Sequence, residues 1–263
     1  MQRVLQERKN MLEITDHGNV REIRLARPPV NALNSALLQA LEQAVVTTES
    51  DSMSAAGPRV IVLSGAAGMF SAGLDVREMN SGEAAVRELV LAFARAQLAI
   101  VRSRLPIIAA ITGHSPAGGA VLALLCDHRI MAEGKFRIGL NEVQVGLYPG
   151  ELIFRVLERV VGTQRAVSWL PRGALVSGAE ALAAGFVDEL VEPTQVVPRS
   201  LALAAEIAAL PPKVYARTRA LVRRDLLRLF EAPPESLESL MEEGWVTDET
   251  RERMAKLLAP RAG

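Results

Sequence analysis

Two short, almost uniformly apolar runs constrain this chain most: RVIVLSG at 59–65 and LPIIAAITG at 105–113. Each ends in glycine and leads into a loop of small residues. Such runs fit strands covered on both faces, as found in parallel sheets flanked by helices. The segments between them fit the helices. From 35 to 50 the apolar positions Leu37, Leu38, Leu41, Ala44 and Val45 recur at helical spacing, with Asn34 or Ser35 placed to cap. Residues 83–102 are also strongly helical. Strands alternating with helices argue for an α/β architecture.

The rest of the chain extends this pattern. MLEIT and VREIRLA flank DHGN, a hairpin composition, and the prolines of ARPPVNAL stop the second strand. SDSMSAAGP reads as a linker. HRIMAE and KFRIGL are further strands, 151–170 is helical, and ALVSGAEALAAGFVDELV predicts a short helix, a turn and a strand. A strand, strand, helix unit thus recurs roughly every 45 to 60 residues. After Pro198 the strand pattern ends. Helical patterns follow at 199–210, 213–230 and 235–258, divided by proline pairs at 211/212 and 233/234. The reading is an α/β core over 1–197 and a helical region over 198–263. The stripe Leu237, Leu240, Met241 and Trp245 is expected to pack on the core or on another subunit.

Composition excludes several functions. Lys+Arg and Asp+Glu both total 30, which argues against nucleic acid as a partner held by bulk charge. Aromatics at 4% argue against stacking platforms. A single cysteine, Cys126, rules out an internal disulfide framework, and three histidines, His17, His114 and His128, leave little for a metal centre. No apolar run reaches the roughly eighteen residues of a membrane span. The polar start MQRVLQERKN lacks the apolar core of a signal peptide, and PRAG matches no address tail, so the expected location is cytoplasmic.

Three motifs could carry chemistry. FSAGLDV (70–76) follows the first buried strand and HSPAGGAV (114–121) the second. Ligands in α/β sheets bind at such strand ends. Small residues leave backbone N–H groups uncovered, and two of these aimed at one point would make an oxyanion hole. Neither loop has the spacing of a phosphate-binding motif; the bland alternative is a pair of tight turns. The third motif is IGLNEVQVGLYPG (138–150), where Glu142 lies in an apolar stretch that would raise its pKa toward that of a general base. A surface glutamate is the bland alternative.

The order FSAGLDV, SPAGGAVLALLCD, GLNEVQVGLYPG, GTQRA, SGAEALAAGFVDELV resembles the enoyl-CoA hydratase/isomerase (crotonase) superfamily over roughly residues 11–230. The resemblance implies a spiral of ββα turns with a helical C-terminal trimerisation region, assembled as a homotrimer or a dimer of trimers. It implies an acyl-CoA thioester substrate, a place in fatty acid metabolism, and no cofactor beyond the coenzyme A of the substrate. By motif, the oxyanion donors are the N–H groups of Leu74 and Gly118. Ala72, Leu74 and Val76 would line the adenine and pantetheine path, with the loop around Pro29 and Val30 on the other side, and Gly73, Asp75, Gly118 and Val121 complete the expected acyl-CoA-binding set.

The acids separate the family's reactions. Hydratases that resemble this chain use two glutamates; here one position holds Val121 and the other Glu142. Dienoyl-CoA isomerases and hydroxyacyl-CoA hydrolases place an acid where this chain has Gly150. SPAGGAVLALLCDHRI followed by IGLNE is similar to the mitochondrial-type Δ3-Δ2-enoyl-CoA isomerases, which use a single glutamate at the position of Glu142. YPGELIF departs from that subfamily's aromatic-rich continuation and leaves acyl chain length open. The alternatives are a hydratase whose second acid lies in the loop 77–88, with Glu78, Glu83 and Glu88, and a non-catalytic CoA- or RNA-binding member using the basic helix 213–230. The latter carries Lys213, Arg217, Arg219, Arg223, Arg224 and Arg228; a solvated face is its bland reading. Asp75 is expected to brace its turn, His114 to make a structural hydrogen bond, Cys126 to be buried, Asp127 to fix a helix end and Tyr148 to pack.

Overall fold

Alternation of side chains along the buried strands creates two core layers. The structure, a computed structural model, describes residues 11–54, 56–236, 238–239 and 245–258. The larger, six-stranded sheet starts with an antiparallel hairpin, β1 (Leu12–His17) on β2 (Val20–Leu25), closed by the expected turn. It continues in parallel through β3 (Val60–Ser64), β5 (Ile107–Ile111), β7 (His128–Ala132) and β10 (Glu189–Val191). Every residue of β3 and β5 is buried, as their unbroken apolar sequence requires. Ile61 and Leu63 face one layer; Val60 and Val62 face the other.

Each of β3, β5 and β7 hands the chain to a short strand in a second sheet. These strands, β4 (Gly68–Met69), β6 (Gly113–Pro116) and β8 (Arg137–Gly139), run parallel, with β9 (Val176–Ser177) antiparallel at the edge. The expected spiral of ββα turns is therefore present, and the glycine-rich loops lie where one sheet passes to the other.

The first layer is built by α1 (Ser35–Asp51) and α3 (Glu83–Arg102), packed along each other. Of the two candidate caps, Asn34 is the one that closes the helix end, its side chain accepting the Leu37 N–H at 2.9 Å. The helices α2 (Val76–Met79), α4 (Gly118–Leu124), α5 (Glu151–Val161), α6 (Thr163–Trp169) and α7 (Gly178–Ala183) follow in the spiral. The helical stretch at 151–170 is broken at Gly162, whose φ of +79° leaves the right-handed region.

The second layer belongs to the C-terminal part of the chain. Helix α8 (Val196–Ala208) lays Val196, Ala204, Ile207 and Ala208 on Val60, Val62, Ile108 and Ile130. The division at 197/198 thus runs through a helix that completes the core. Helices α9 (Pro212–Val222) and α10 (Arg224–Glu231) are separated at Arg223, and α11 begins only at Asp248 (Asp248–Leu258). Leu237, Leu240 and Met241 lie outside the described residues, as do residues 1–10. Trp245 is half-buried against the chain's own core, and α11 packs on α2 of the same chain.

A buried ion-pair cluster fastens α9 to the sheet. Arg219 donates from Nε and Nη2 to the two carboxylate oxygens of Asp127 at 2.8 and 2.9 Å, and Arg223 Nη1 adds a third bond at 3.2 Å. The same carboxylate accepts the Ile107 N–H at 2.8 Å. Asp127 therefore fixes more than a helix end. Burial pushes its carboxyl up, but Arg219 and Arg223 outweigh this and hold it below the usual range. Two of the six basic residues read as one solvated face are thus inside; Lys213, Arg217, Arg224 and Arg228 stay exposed. Breaking a buried pair by removing one partner costs about 3–5 kcal/mol. Asp127→Asn is expected to destabilise the fold at pH 7 by that order, read as a lower melting temperature. The contribution is present above the unfolded pKa, near 3.9, and is lost as pH falls through the lower folded value. The gap between the variant and wild type in thermal melts should accordingly narrow below about pH 4.

Candidate active site

FSAGLDV and HSPAGGAV meet backbone to backbone. A Cβ on Gly73 would sit 3.0 Å from Ala117 Cβ and 3.2 Å from Gly118 N, at a φ of +87° that itself favours glycine. A Cβ on Gly119 would lie 2.7 Å from Ser71 O. Between these glycines, Ala117 holds φ +47°, a sparsely populated conformation for a residue with a side chain, and its N–H donates to Gly139 O at 2.8 Å.

The first loop is strapped from outside by Val30–Leu33. Ala72 N–H donates to Val30 O at 3.0 Å, Leu33 N–H to Gly73 O at 2.8 Å and Asp75 N–H to Leu33 O at 2.9 Å. In this parallel bridge the residue between the two bonded partners, Leu74, turns its own N–H away from the strap. Gly118 begins α4, where the first N–H groups have no partner inside the helix. Neither the Leu74 nor the Gly118 amide finds an acceptor among the described residues. Asn31, buried at φ +50°, ties the strap down through Nδ2 to Phe70 O at 3.0 Å, while its carbonyl accepts from Ser71 Oγ at 2.8 Å.

Leu74 and Gly118 open on a cavity of about 130 Å³. Ala72, Val76, Val121 and Glu142 also line it, so six of the nominated residues come together. Pro29, Val30, Gly73 and Asp75 do not line it. Val30 and Gly73 serve the strap, and Asp75 caps α2, accepting from Arg77 N–H at 2.8 Å and pairing with Arg27. Sequence reasoning missed Asn141 as a wall residue, and also Met79, Phe93, Leu147, Ile153, Trp245 and Met254.

Glu142 opens a single 3-10 turn, Glu142–Val145, after β8. The residue is partly exposed as a whole, yet its Oε2 is enclosed and has no hydrogen-bond partner among the described residues. Burial pushes its carboxyl up to about 7, against a smaller downward pull from its own backbone N–H. Among the described residues, no other titratable side chain lines the cavity. Of the acids in the loop 77–88, Glu78 accepts from Ser35 N–H and Oγ, and Glu83 and Glu88 are exposed. Gly150 precedes α5 as its cap.

The remaining nominees have structural roles. His114 Nδ1 accepts the Arg137 N–H at 3.2 Å, and its ring meets Phe136 edge-on. Cys126 is buried, donates to Leu122 O at 3.3 Å, and burial pushes its thiol up to about 12. Tyr148 is half exposed and donates to Glu235 at 2.7 Å.

This spiral, with its cavity between the two glycine loops, is the crotonase fold. A family model described as "Enoyl-CoA hydratase/isomerase" matches residues 15–256. The chain is 35% identical over 209 residues to the mitochondrial enoyl-CoA delta isomerase 1 of Homo sapiens, covering 79% of this chain and 68% of that protein. It is 32% identical over 255 residues to a probable enoyl-CoA hydratase of Bacillus subtilis, covering 96% and 97%. The crystal structure of human mitochondrial delta3-delta2-enoyl-CoA isomerase superposes with a TM-score of 0.84 at 30% identity, covering 94% of this chain and 96% of that one. The chain belongs to the enoyl-CoA hydratase/isomerase family and is an enzyme of that family, which implies an acyl-CoA substrate.

The enclosed carboxyl leaves a mark on stability. Because its folded pKa is raised, the stability it contributes is fully present below the unfolded value near 4.5 and is lost as pH rises through about 7. Glu142→Gln cannot ionise. It should therefore melt above wild type at pH 8, by about 1–3 kcal/mol of stability, with the difference fading toward pH 5. A variant that melts below wild type at pH 8 would contradict the burial of the charge.

Proposed function

We propose that this enzyme is a Δ3-Δ2-enoyl-CoA isomerase that moves a double bond with one glutamate as base and then acid. The observation that carries this reading is Glu142 as the one titratable group among the described residues that line a mostly apolar cavity, which it shares with Leu74 and Gly118. The α-proton of a 3-enoyl thioester is acidified by both the carbonyl and the double bond. The Glu142 carboxylate takes that proton, and the electron pair delocalises into a dienolate whose charge collects on the thioester oxygen. The two amides form the oxyanion hole, and such donors are typically worth about 10²–10³ in rate each. Protonated Glu142 then returns the proton to the γ-carbon, leaving the conjugated 2-enoyl thioester. A carboxyl poised near 7 suits both halves of that exchange at neutral pH. No cofactor takes part, since coenzyme A arrives with the substrate.

Hydration is the second reading, favoured by the name of the Bacillus subtilis relative. It requires a water held and polarised by a second acid, and Val121 stands in that place. The exposed apolar residues Val214, Leu221 and Val222 of α9 support self-association as a trimer or a dimer of trimers.

A side-by-side assay with 3-enoyl-CoA and 2-enoyl-CoA separates the two readings. Isomerisation is expected to dominate and to rise with pH along a titration near 7. Glu142→Gln should lower it by about 10² or more with little change in substrate affinity. Gly118→Pro deletes one amide donor at the helix position that best tolerates proline, and should reduce turnover far more than binding. Efficient hydration with 3-enoyl-CoA untouched would reject the isomerase assignment.

A further inference from the structure

The C-terminal segment supplies two walls of the cavity from a part of the chain remote from every motif. Trp245 and Met254 line it together with Met79, Phe93, Leu147 and Ile153. Two side-chain bonds hold the segment against the stretch that carries Glu142. Trp245 Nε1 donates to Tyr148 O at 2.6 Å, and Thr250 Oγ1 donates to Gly146 O at 2.7 Å. Thr250 and Met254 are fully enclosed, while Glu252, Arg253, Ala255 and Lys256 beside Met254 on α11 are exposed. This wall is therefore one helix thick. Leu147, Ile153 and Met254 all belong to the main core cluster, and Trp245 packs against it.

The cavity's volume sets a scale. An apolar cavity of about 150 Å³ holds a benzene-sized guest, six carbons, and this one measures about 130 Å³. The same space also receives the reacting carbons, because Leu74, Gly118 and Glu142 are among its walls. From the thioester carbonyl to the γ-carbon that is four carbons, leaving room for about two more.

We propose that segment 245–258 sets an acyl-length ceiling of about six carbons, with Trp245 and Met254 as the side chains that impose it. This rests on the acyl-CoA reading of the site but not on which reaction occurs there. A longer chain must either displace α11, losing both hydrogen bonds and the Met254 contacts, or leave its end unburied.

The test uses the whole protein. Binding of saturated acyl-CoAs of four to twelve carbons is measured by calorimetry, and turnover is measured over matching series of 3-enoyl- and 2-enoyl-CoAs. Wild type should lose about tenfold or more in affinity or kcat/KM between six and ten carbons, within the range one or two misfitted methylenes produce. Met254→Ala and Trp245→Ala should each raise the ten-to-six ratio by about tenfold, and Met254→Phe should move the ceiling down toward four carbons. Wild type that binds ten and twelve carbons as well as six overturns the ceiling, whether or not the variants fold. Folded alanine variants with an unchanged ratio overturn the assignment to these side chains. If only the 2-enoyl series turns over, the isomerase reading fails while the length profile still decides the ceiling. If no acyl-CoA of any length binds, both fail.

Discussion

The absence of side chains between two loops is the condition on which the site depends. Gly73 and Gly118 approach so closely that a methyl on the former would press on Ala117 and on the Gly118 amide. Under the proposed reading, it is across this contact that the Leu74 and Gly118 amides would act on one thioester oxygen. The contact follows from topology. β3 and β5 are neighbours in the large sheet and β4 and β6 in the small one, so the loops leaving them run side by side. Ala117 is held in a strained conformation at the junction, and such strain persists only where the surroundings over-determine it. Here the surroundings are the Gly139 carbonyl on one side and the strap tied down by Asn31 on the other.

Two of the carboxyl groups that the fold encloses, Asp127 and Glu142, are treated oppositely. Asp127 meets two guanidinium groups and a backbone N–H, and the attraction outweighs burial, so it stays charged. Glu142 lies among mostly apolar walls with its own Oε2 unsatisfied among the described residues, and burial prevails. The first arrangement fastens α9 to the sheet. The second leaves a group whose proton is free to move at neutral pH, at some loss of stability.

Much of this was legible in order along the chain because it is local. Unbroken apolar runs announced β3 and β5, helical spacing announced α1 and α3, and the glycine loops with Glu142 marked the cavity's chemical end. What was not legible depends on contacts between distant segments. Arg219 and Arg223 read as a solvated face because their partner, Asp127, lies 92 and 96 residues away. Trp245 read as part of a packing stripe, and nothing near it indicates that it faces Glu142's turn. Asn31 gave no signal, since a buried asparagine in a proline-rich loop resembles any turn residue. Short-range patterns also overestimated continuity: single residues, Gly162 and Arg223, divide helices that periodicity alone runs together.

The cavity's apolar character bears on reaction choice as much as on substrate fit. Adding water to a double bond requires a site that holds water by two or more polar groups, since an apolar cavity of this size stays dry. Proton transfer within a substrate has the opposite requirement. In the proposed reaction, water near the dienolate would offer competing protons and weaken the field of the amides proposed to stabilise it. The apolar residues of this space, Val121, Phe93, Met254 and the Trp245 ring, line the same cavity as the carboxyl whose proton affinity burial raises. Their packing raises Glu142 toward neutrality, and Asn141 is the other polar side chain among the described wall residues; under the proposed reading the proton that Glu142 takes up would return to the substrate.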